Sequence, residues 1–294
     1  MTFAPLDPID NFDTLLRIPS WITSARGETI EDVAFLSGAA LSYLHGMLGH
    51  HAVPHALLRD RLALRAAEAC VAFSGRPERA PELRDAVHLL RPGDLPGPAG
   101  ETCLAWRRAV ERPLSTKALY RALPHLPAER IRTWLNAAQG APVSRAAMVL
   151  EAVLMESPRA EVPALILADA CLAQALGWDH VMPLFAQGMK RADMRKRGEE
   201  LRLVCHRALI SSTIKAVRQA AELARRGERL RAVAPKLRAK GAGDAVAMFL
   251  TRDAVAPPAL PLPDRAARRL CDRLVDLEAV RELTGRDTFR LYGV

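Results

Sequence analysis

Apolar residues recur at helical spacing along most of this chain, and that pattern constrains the fold more than any other. Segments such as Glu31–Leu48 and Val162–Leu176 carry long apolar stripes, and the second is hydrophobic on nearly every side. Phe, Trp and Tyr make up only 5% of the residues, while Ala, Leu and Arg abound, which favours helix packing. No fixed-period repeat is visible. We therefore predict a mainly α protein with an irregular multi-helix body, bundled or stacked like a solenoid.

The segment from Pro263 to Val294 changes from helical to extended periodicity. Asp264 is a good N-cap for a helix. Apolar residues follow it at spacings of three, four and three: Ala267, Leu270, Leu274 and Leu277. Two runs rich in β-branched, aromatic and aliphatic residues, Val280–Leu283 and Thr288–Tyr292, then flank a turn. The pattern predicts a helix followed directly by a β-hairpin.

Two further helical stretches precede this helix and complete a familiar order. Asp244–Arg252 suits a first helix, and Pro257–Leu260 suits a short second one that several prolines restrict. A helix-turn-helix with a terminal hairpin is a winged helix, whose third helix enters the DNA major groove in DNA-binding examples. We therefore predict two domains: a helical body over residues 1–240 and a winged helix-turn-helix over residues 241–294.

The positive charge of the chain is concentrated just before the winged helix. The whole chain has a formal net charge of +9. Residues 190–240 contain 16 Lys and Arg against 5 Asp and Glu, whereas the remainder contains 26 basic and 28 acidic residues. A long helix is predicted from about Gly198 to Arg226, and Lys215, Arg218 and Arg225 share one face of it. A basic segment of this kind predicts a polyanionic partner.

The first functional hypothesis is that the chain is a non-enzymatic DNA-binding protein, regulatory or associated with a plasmid or chromosome. The recognition helix would contact bases or phosphates, the hairpin would act as a wing, and the basic helix would extend the phosphate track. Asp272 and Asp276 limit base contacts to the first two turns of the recognition helix. The predicted DNA-binding residues are Arg265, Arg268, Arg269, Arg286, Arg290, Lys215, Arg218 and Arg225.

An alternative hypothesis is a protein-interaction or scaffold module. The winged helix would then dock a partner or mediate dimerisation, and its arginines would pair with carboxylates. A narrow apolar seam on the long helix would be either internal core or a dimer contact. The seam comprises Ile210, Ile214, Val217, Ala221 and Ala224.

A third hypothesis places an enzyme active site near the Arg91–Gly100 loop. Asp85 and His88 share a helix face, and Asp94 lies in the loop, so acid–base chemistry is geometrically possible. An interhelix connector with local ion pairs is favoured over this reading. Buried Asp169 is expected at an interface edge or beside an Arg, without a catalytic role.

The sequence predicts no cofactor and no metal. His45, His50, His51 and His55 cluster, but no Cys or carboxylate completes a zinc site, so solvated loop histidines are favoured. The five cysteines are odd in number and far apart, which predicts buried thiols in a reducing compartment. No signal peptide is apparent and no apolar stretch spans a bilayer. A cytoplasmic protein without a membrane partner is predicted, with an N-terminal arm containing a short helix at Phe12–Ile18.

Two blocks of the chain are similar to a known family. The strings LRDAVHLLRPGDLPGPAG, from Leu83, and RELTGRDTFRLYGV, from Arg281, resemble a bacterial family called domain of unknown function 1403. The order and spacing of the matching blocks extend the resemblance over nearly the whole chain. The resemblance implies mostly alphaproteobacterial relatives of similar length. It implies no activity, cofactor or catalytic residue.

Overall fold

The computed structural model describes residues 18–24, 27–91, 93–237 and 240–294, and the predicted helix at Phe12–Ile18 lies outside these ranges except for Ile18. Within them the chain is mainly helical, as predicted. The helices are α1 (Ser20–Thr23), α2 (Ile30–Leu48), α3 (His55–Phe73), α4 (Ala80–His88), α5 (Gly97–Glu111), α6 (Thr116–Ala122), α7 (Ala128–Ala137), α8 (Pro142–Glu156), α9 (Glu161–Ala175), α10 (Phe185–Gly188), α11 (Gly198–Val233), α12 (Ala242–Phe249) and α13 (Asp264–Asp276). Short 3₁₀ turns cover Arg191–Arg195, Ala234–Lys236 and Pro257–Ala259, and the strands are β1 (Arg281–Glu282) and β2 (Tyr292–Gly293).

The long helix α11 is the axis of the body. Its 36 residues make it about 54 Å long. Helix α2 lies along it, and α3, α8 and α10 also pack against it. Ile214, Val217 and Ala224 of the predicted seam are buried inside the chain. The seam is therefore internal core in this structure, and the helix continues beyond the predicted Arg226 because buried Gly227 and Leu230 prolong the apolar stripe.

Helix α9 is buried on all sides, as its sequence predicts. It pairs with α8 and carries buried residues at every position from Ala164 to Ala173. Asp169 lies within this run, and its Oδ1 accepts hydrogen bonds from the backbone N–H groups of Leu184 (3.0 Å) and Phe185 (3.2 Å). Burial raises the pKa of Asp169 well above its usual range, although these two bonds lower it. Of the two alternatives expected for Asp169, an interface edge or an Arg partner, no Arg partner is present among the described residues. The carboxyl group instead fixes the start of α10.

The C-terminal segment has the predicted order of helix, short helical turn, helix and hairpin, with shorter strands. Glu282 pairs with Tyr292 in the antiparallel hairpin, and Tyr292 also forms an antiparallel bridge to Val255. The expected strand at Thr288–Tyr292 is wrong over most of its length. Arg286 donates hydrogen bonds to the carbonyl groups of Thr288 and Phe289. In a strand these carbonyl groups would accept hydrogen bonds from the neighbouring strand.

Helix α13 begins where the sequence predicts, but its cap differs. Pro263 occupies the N-cap position, and Asp264 is the first helical residue. The Asp264 carboxylate therefore pairs with Arg268 instead of capping the helix. Ala267, Leu270 and Leu274 of the predicted stripe are buried.

A single hydrophobic core continues from the helical body into the C-terminal segment. Leu62 and Leu83 of the body belong to the same buried cluster as Phe249 and Leu274. The division at residue 240 stays a prediction about folding units. Among the described residues, no helix is both long and apolar enough to cross a membrane.

Gly188 gives a test of this packing. A Cβ at Gly188 would lie 2.6 Å from Cα of Ala208 in α11, so backbone atoms would have to separate. We expect Gly188→Ala to lower the free energy of unfolding by about 3 kcal/mol, as overpacking does. Urea denaturation followed by circular dichroism measures this change.

The matched control is Gly243→Ala in α12. A Cβ at Gly243 meets no atom within 4 Å. Because Ala also has the higher helix propensity, we expect this variant to be as stable as the parent or up to about 1 kcal/mol more stable. Equal destabilisation by both substitutions would contradict the close approach at Gly188.

Candidate functional site

The basic residues of α11 form an exposed stripe along one face of the helix. Lys215, Arg218 and Arg225 are all exposed. Glu222 interrupts the stripe, but it pairs with Arg226, whose guanidinium lies 2.6 Å from its carboxylate. No ion pair of Lys215, Arg218 or Arg225 is present among the described residues. The stripe thus presents cations that no carboxylate of the described chain neutralises.

The first two turns of α13 present three exposed arginines. Arg265 and Arg269 project from the helix face opposite the buried stripe, and Arg268 lies beside them. Arg268 makes an ion pair with Asp264, with Nη2 3.1 Å from Oδ2. Both partners are more than half exposed, so the pair is weak and readily exchanged for an external anion.

A groove borders the C-terminal part of the basic stripe of α11, and we call it the arginine groove. Arg265, Arg268 and Arg269 of α13 do not line it. It lies between the C-terminal half of α11 and the chain that links α13 to β1, and its volume is about 500 Å³. Its floor is apolar, formed by valines and Ala279. The residues that line it are Arg225, Arg226, Arg229, Val275, Glu278, Ala279, Val280, Arg281, Glu282 and Val294.

The charges of the groove are only partly balanced. Arg226 pairs with Glu222, and Arg229 pairs with Glu278 at 2.6 Å. Burial, and after it the nearby charge of Arg226, lowers the pKa of Arg281. Within the described ranges Arg281 makes no ion pair. An anion entering the groove would therefore meet crowded cations whose mutual repulsion it relieves.

Glu278 holds a backbone conformation that costs energy at the rim of the groove. Its φ is +52°, in the left-handed region that follows many helices and that glycine normally occupies. The turn is closed by hydrogen bonds from the N–H groups of Ala279 and Val280 to the carbonyl of Leu274. The side chain of Glu278 is thereby directed toward Arg229 on α11.

The two arginines predicted for the wing bind other residues of the same chain. Arg286 binds Asp85 of α4 in a bidentate pair with both N···O distances at 2.7 Å, and it donates further bonds to carbonyls of its own loop. Its pKa is raised, first by the hydrogen bond with Asp85. Arg290 donates to the carbonyl of Arg286 and lies 3.7 Å from carboxylates of Glu282 and Asp287.

The residues of the enzyme hypothesis make separate contacts. Asp85 binds Arg286, and Asp94 accepts the backbone N–H of Arg91 within its own turn. His88 is half-buried, and burial together with the charge of Arg107 lowers its pKa to about 4. Asp85 and Asp94 therefore bind different partners, and the charged groups nearest His88 include Arg107 and Asp253.

A buried charged cluster, which sequence reasoning missed, attaches the C-terminal segment to the body. Asp253 is 4% exposed and binds both Arg61 of α3 and Arg84 of α4. Arg84 contacts its two carboxylate oxygens at 2.5 and 3.1 Å. Asp60 accepts the backbone N–H of Asp253 at 2.8 Å, and Arg61 also donates to the backbone oxygen of Val294.

The ionisation of Asp253 depends on these partners. Burial alone would raise its pKa, but the hydrogen bond from Arg84 and the charges of Arg61 and Arg84 outweigh burial, so the pKa lies below its usual value. A signal for this cluster exists in the sequence. Arg61 lies three or four residues from Leu57, Leu58 and Leu64, so it falls on the buried apolar face of α3, where the helical pattern would place an apolar residue.

No metal centre forms from the histidines. Trp178 donates to Nδ1 of His45 at 2.9 Å, and the rings of His50 and His51 stack. Across the part of the chain that the structure describes, no group of three or more His, Cys, Asp or Glu side chains is placed to hold a metal ion. The five cysteines are free and buried, as predicted, and burial raises the pKa of Cys70 and Cys103 to about 12.

The family is shown by a match over nearly the whole sequence. A model described as a protein of unknown function, DUF1403, matches residues 7–294. The chain belongs to this family. The DUF1403 match includes both the arginine groove and the Asp253 cluster, and it assigns no activity to either. No curated protein matches the sequence.

Asp253 gives a stability test. Asp253→Asn removes the negative charge between Arg61 and Arg84, and we expect the free energy of unfolding at pH 7 to fall by about 3–5 kcal/mol. Because the pKa of Asp253 is lowered by folding, its contribution is complete above the unfolded pKa near 4 and is lost as pH falls through the folded pKa. Urea denaturation between pH 3 and pH 7 measures both effects.

The matched control is Asp264→Asn, which removes an exposed carboxylate that also pairs with an arginine. We expect a change of at most about 0.5 kcal/mol, as for other exposed pairs on one helix. The parent should lose more stability than Asp253→Asn on acidification. Parallel acid profiles for the parent and Asp253→Asn would refute the role given to the cluster.

Proposed function

We propose that this protein binds duplex DNA without catalysing a reaction. In this proposal residues 241–294 act as a winged helix-turn-helix, and α11 adds a second basic surface. The supporting observation is the arginine groove, which brings the basic stripe of α11 and the C-terminal segment together on one surface. A regulatory or plasmid- or chromosome-associated role belongs to the same proposal.

The stripe on α11 has the length needed to follow a DNA backbone. Lys215 and Arg229 are 14 residues apart, which is about 21 Å along a helix. One DNA strand carries a phosphate for every 3.4 Å of helix axis, so the stripe covers about six base pairs. Arg229 continues the stripe and pairs with Glu278, while Lys215, Arg218 and Arg225 make no ion pair with any residue that the structure describes. Phosphate contacts from this stripe would position the protein without reading sequence.

Base contacts are assigned to the start of α13. Arg265 and Arg269 are exposed, and Arg268 would lose only a weak ion pair with Asp264 on binding DNA. Arg side chains fork onto guanine edges in the major groove. Asp272 and Asp276 lie on the same exposed face further along, where they would repel phosphates, so the docking is restricted to the first two turns.

Arg286 and Arg290 are given a different role from the other predicted DNA contacts. Their donors hold the loop between β1 and β2, and Arg286 fastens that loop to α4 through Asp85. In the proposal they shape the wing, and any phosphate contact is left to exposed backbone or neighbouring side chains. Arg281, which is free of an ion pair among the described residues, takes their place in the contact set.

A protein-interaction module is the second candidate, and one observation favours it. Trp21 and Phe35 are 48% and 66% exposed, and their rings stack with centroids 5.5 Å apart. An exposed aromatic pair of this kind suits a protein contact better than a phosphate contact. Binding through it would tolerate salt, whereas binding through the arginines would not.

Binding of labelled duplex DNA tests the proposal directly. Fluorescence anisotropy with the full-length protein should show affinity that falls linearly, in log–log form, as salt rises from 50 to 200 mM. Five or more phosphate contacts would give a slope of about −4 to −5. Absence of binding at low salt would overturn the proposal, and a salt-tolerant complex with another protein would favour the second candidate.

Two double variants locate the interface. We expect Arg225→Gln with Arg281→Gln to reduce the salt slope by about 2, because each lost phosphate contact removes about 0.9. Arg265→Gln with Arg269→Gln should weaken binding and also reduce discrimination between DNA sequences.

The control pair is Arg121→Gln with Arg159→Gln. Both arginines are exposed, and both lie on the helical body outside α11 and α13. The control removes the same net charge as each test pair. If it weakens DNA binding as much as they do, the binding is a general effect of net charge and the assigned interface is wrong.

A further inference from the structure

A second cationic site lies in the helical body, in a cleft between the end of α2, the first turns of α3 and the loop after α9. The volume of the cleft is about 370 Å³. Its walls combine the apolar side chains Leu48 and Met182 with the polar side chains of His55, Arg59 and His180. This mixture suits a small organic molecule with one charged end.

Arg59 supplies the positive charge that would bind an anionic ligand. It is half-buried, and its Nε donates to the carbonyl of Val110 at 3.2 Å. Among the described residues Arg59 makes no ion pair, and the lowering of its pKa comes from burial alone. The acidic residue that borders the cleft, Asp179, is exposed and is not paired with it. A half-buried guanidinium without a counterion is costly unless an anion joins it.

His55 presents an unused nitrogen beside Arg59, one helical turn away. Its Nε2 is buried and has no hydrogen-bond partner. The backbone carbonyls of His50 and Met47 favour its protonated form. A negative charge bound beside His55 would favour that form further.

We propose that this cleft binds a small oxyanion, the carboxylate or phosphate group of a small molecule, between Arg59 and His55, with His180 at the rim. The proposal does not depend on DNA binding. The oxyanion accepts bonds from the guanidinium of Arg59, and the positive charge of protonated His55, which also lines the cleft, adds to the attraction. Trp178, held by its bond to His45, forms one wall for the remainder of the ligand.

Binding in this geometry takes up a proton. Burial is the largest factor that lowers the pKa of His55, and the charge of Arg59 comes next, with a smaller effect of His50. His180 responds in the same way to burial and Arg59, while Asp179 opposes the shift. His45 also borders the cleft. A bound anion cancels the charge of Arg59, so His55 becomes easier to protonate and affinity rises as pH falls.

Calorimetric titration of the full-length protein with sulfate and with acetate tests the site. Sulfate keeps its charge between pH 5.5 and pH 8, so any pH dependence comes from the protein. We expect sulfate affinity to be higher at pH 5.5 than at pH 8, because bound sulfate raises the pKa of His55 and binding then takes up a proton. Stronger binding of sulfate assigns a phosphate-type ligand, and stronger binding of acetate assigns a carboxylate. Failure of both anions to bind at either pH overturns the proposal.

Variants separate this site from general charge effects. Arg59→Gln should lower the affinity for the better anion at least about tenfold, the loss of one charge-assisted contact. His55→Gln should abolish the pH dependence while leaving affinity at pH 8 within about twofold. Arg121→Gln, an exposed arginine on α6, should change neither. Unchanged binding in Arg59→Gln overturns the proposal.

An NMR titration of the parent protein tests the site without depending on whether a variant folds. The ε1 proton resonances of the eight histidines can be followed by NMR during a pH titration, and His55→Gln identifies one of them. Sulfate should raise the pKa of His55 in the parent. An unaltered pKa of His55 at saturating sulfate would also overturn the site.

Discussion

The C-terminal segment is held in place by one buried carboxylate. Asp253 lies between Arg61 and Arg84, and its backbone N–H donates a hydrogen bond to the carboxylate of Asp60. Removing such a charge from water is expensive, and the two guanidinium groups provide most of the compensation. The adjoining Val255 pairs with Tyr292, which in turn pairs with β1. The position of Arg281 opposite α11, and so the shape of the arginine groove, depends on this chain of contacts.

Close packing supports the same arrangement. A Cβ at Gly293 would lie 2.5 Å from the carbonyl oxygen of Asp253, so the hairpin approaches the segment that precedes it as closely as a glycine permits. Gly188 allows an equally close approach between α10 and α11. The two glycines are 105 residues apart in the sequence, but each sets a distance that a methyl group would increase.

The distribution of ion pairs distinguishes two kinds of arginine. Arg61, Arg84 and Arg286 each face a carboxylate at short range, and they fasten one part of the chain to another. Arg225 and Arg281 face none among the described residues, although they lie in a groove crowded with positive charge. Cations that the fold leaves unbalanced are the ones from which we infer external partners, and the same reasoning selects Arg59.

Local periodicity was sufficient to predict most helices and the basic stripe. The bounds of α3 and the start of α13 follow from apolar spacing, and Lys215, Arg218 and Arg225 share a face because helical geometry requires it. Burial of Asp253 was not predictable in this way. Its sequence context resembles a loop, and its partners lie at least 169 residues away along the chain. For the same reason the bond between Arg286 and Asp85, which removes Arg286 from the predicted DNA contacts, does not follow from the sequence.

These long separations affect how the protein is made. Arg84 and Asp85 leave the ribosome 169 and 201 residues before their partners Asp253 and Arg286. At ordinary rates of synthesis the delay is about 8 to 40 s, during which a helical body folds readily. Until residues 253–294 appear, the nascent chain must keep Asp60, Arg61 and Arg84 hydrated, so this corner of the body stays open. Completion of the core, and with it the arginine groove, therefore follows the synthesis of residues 253–294.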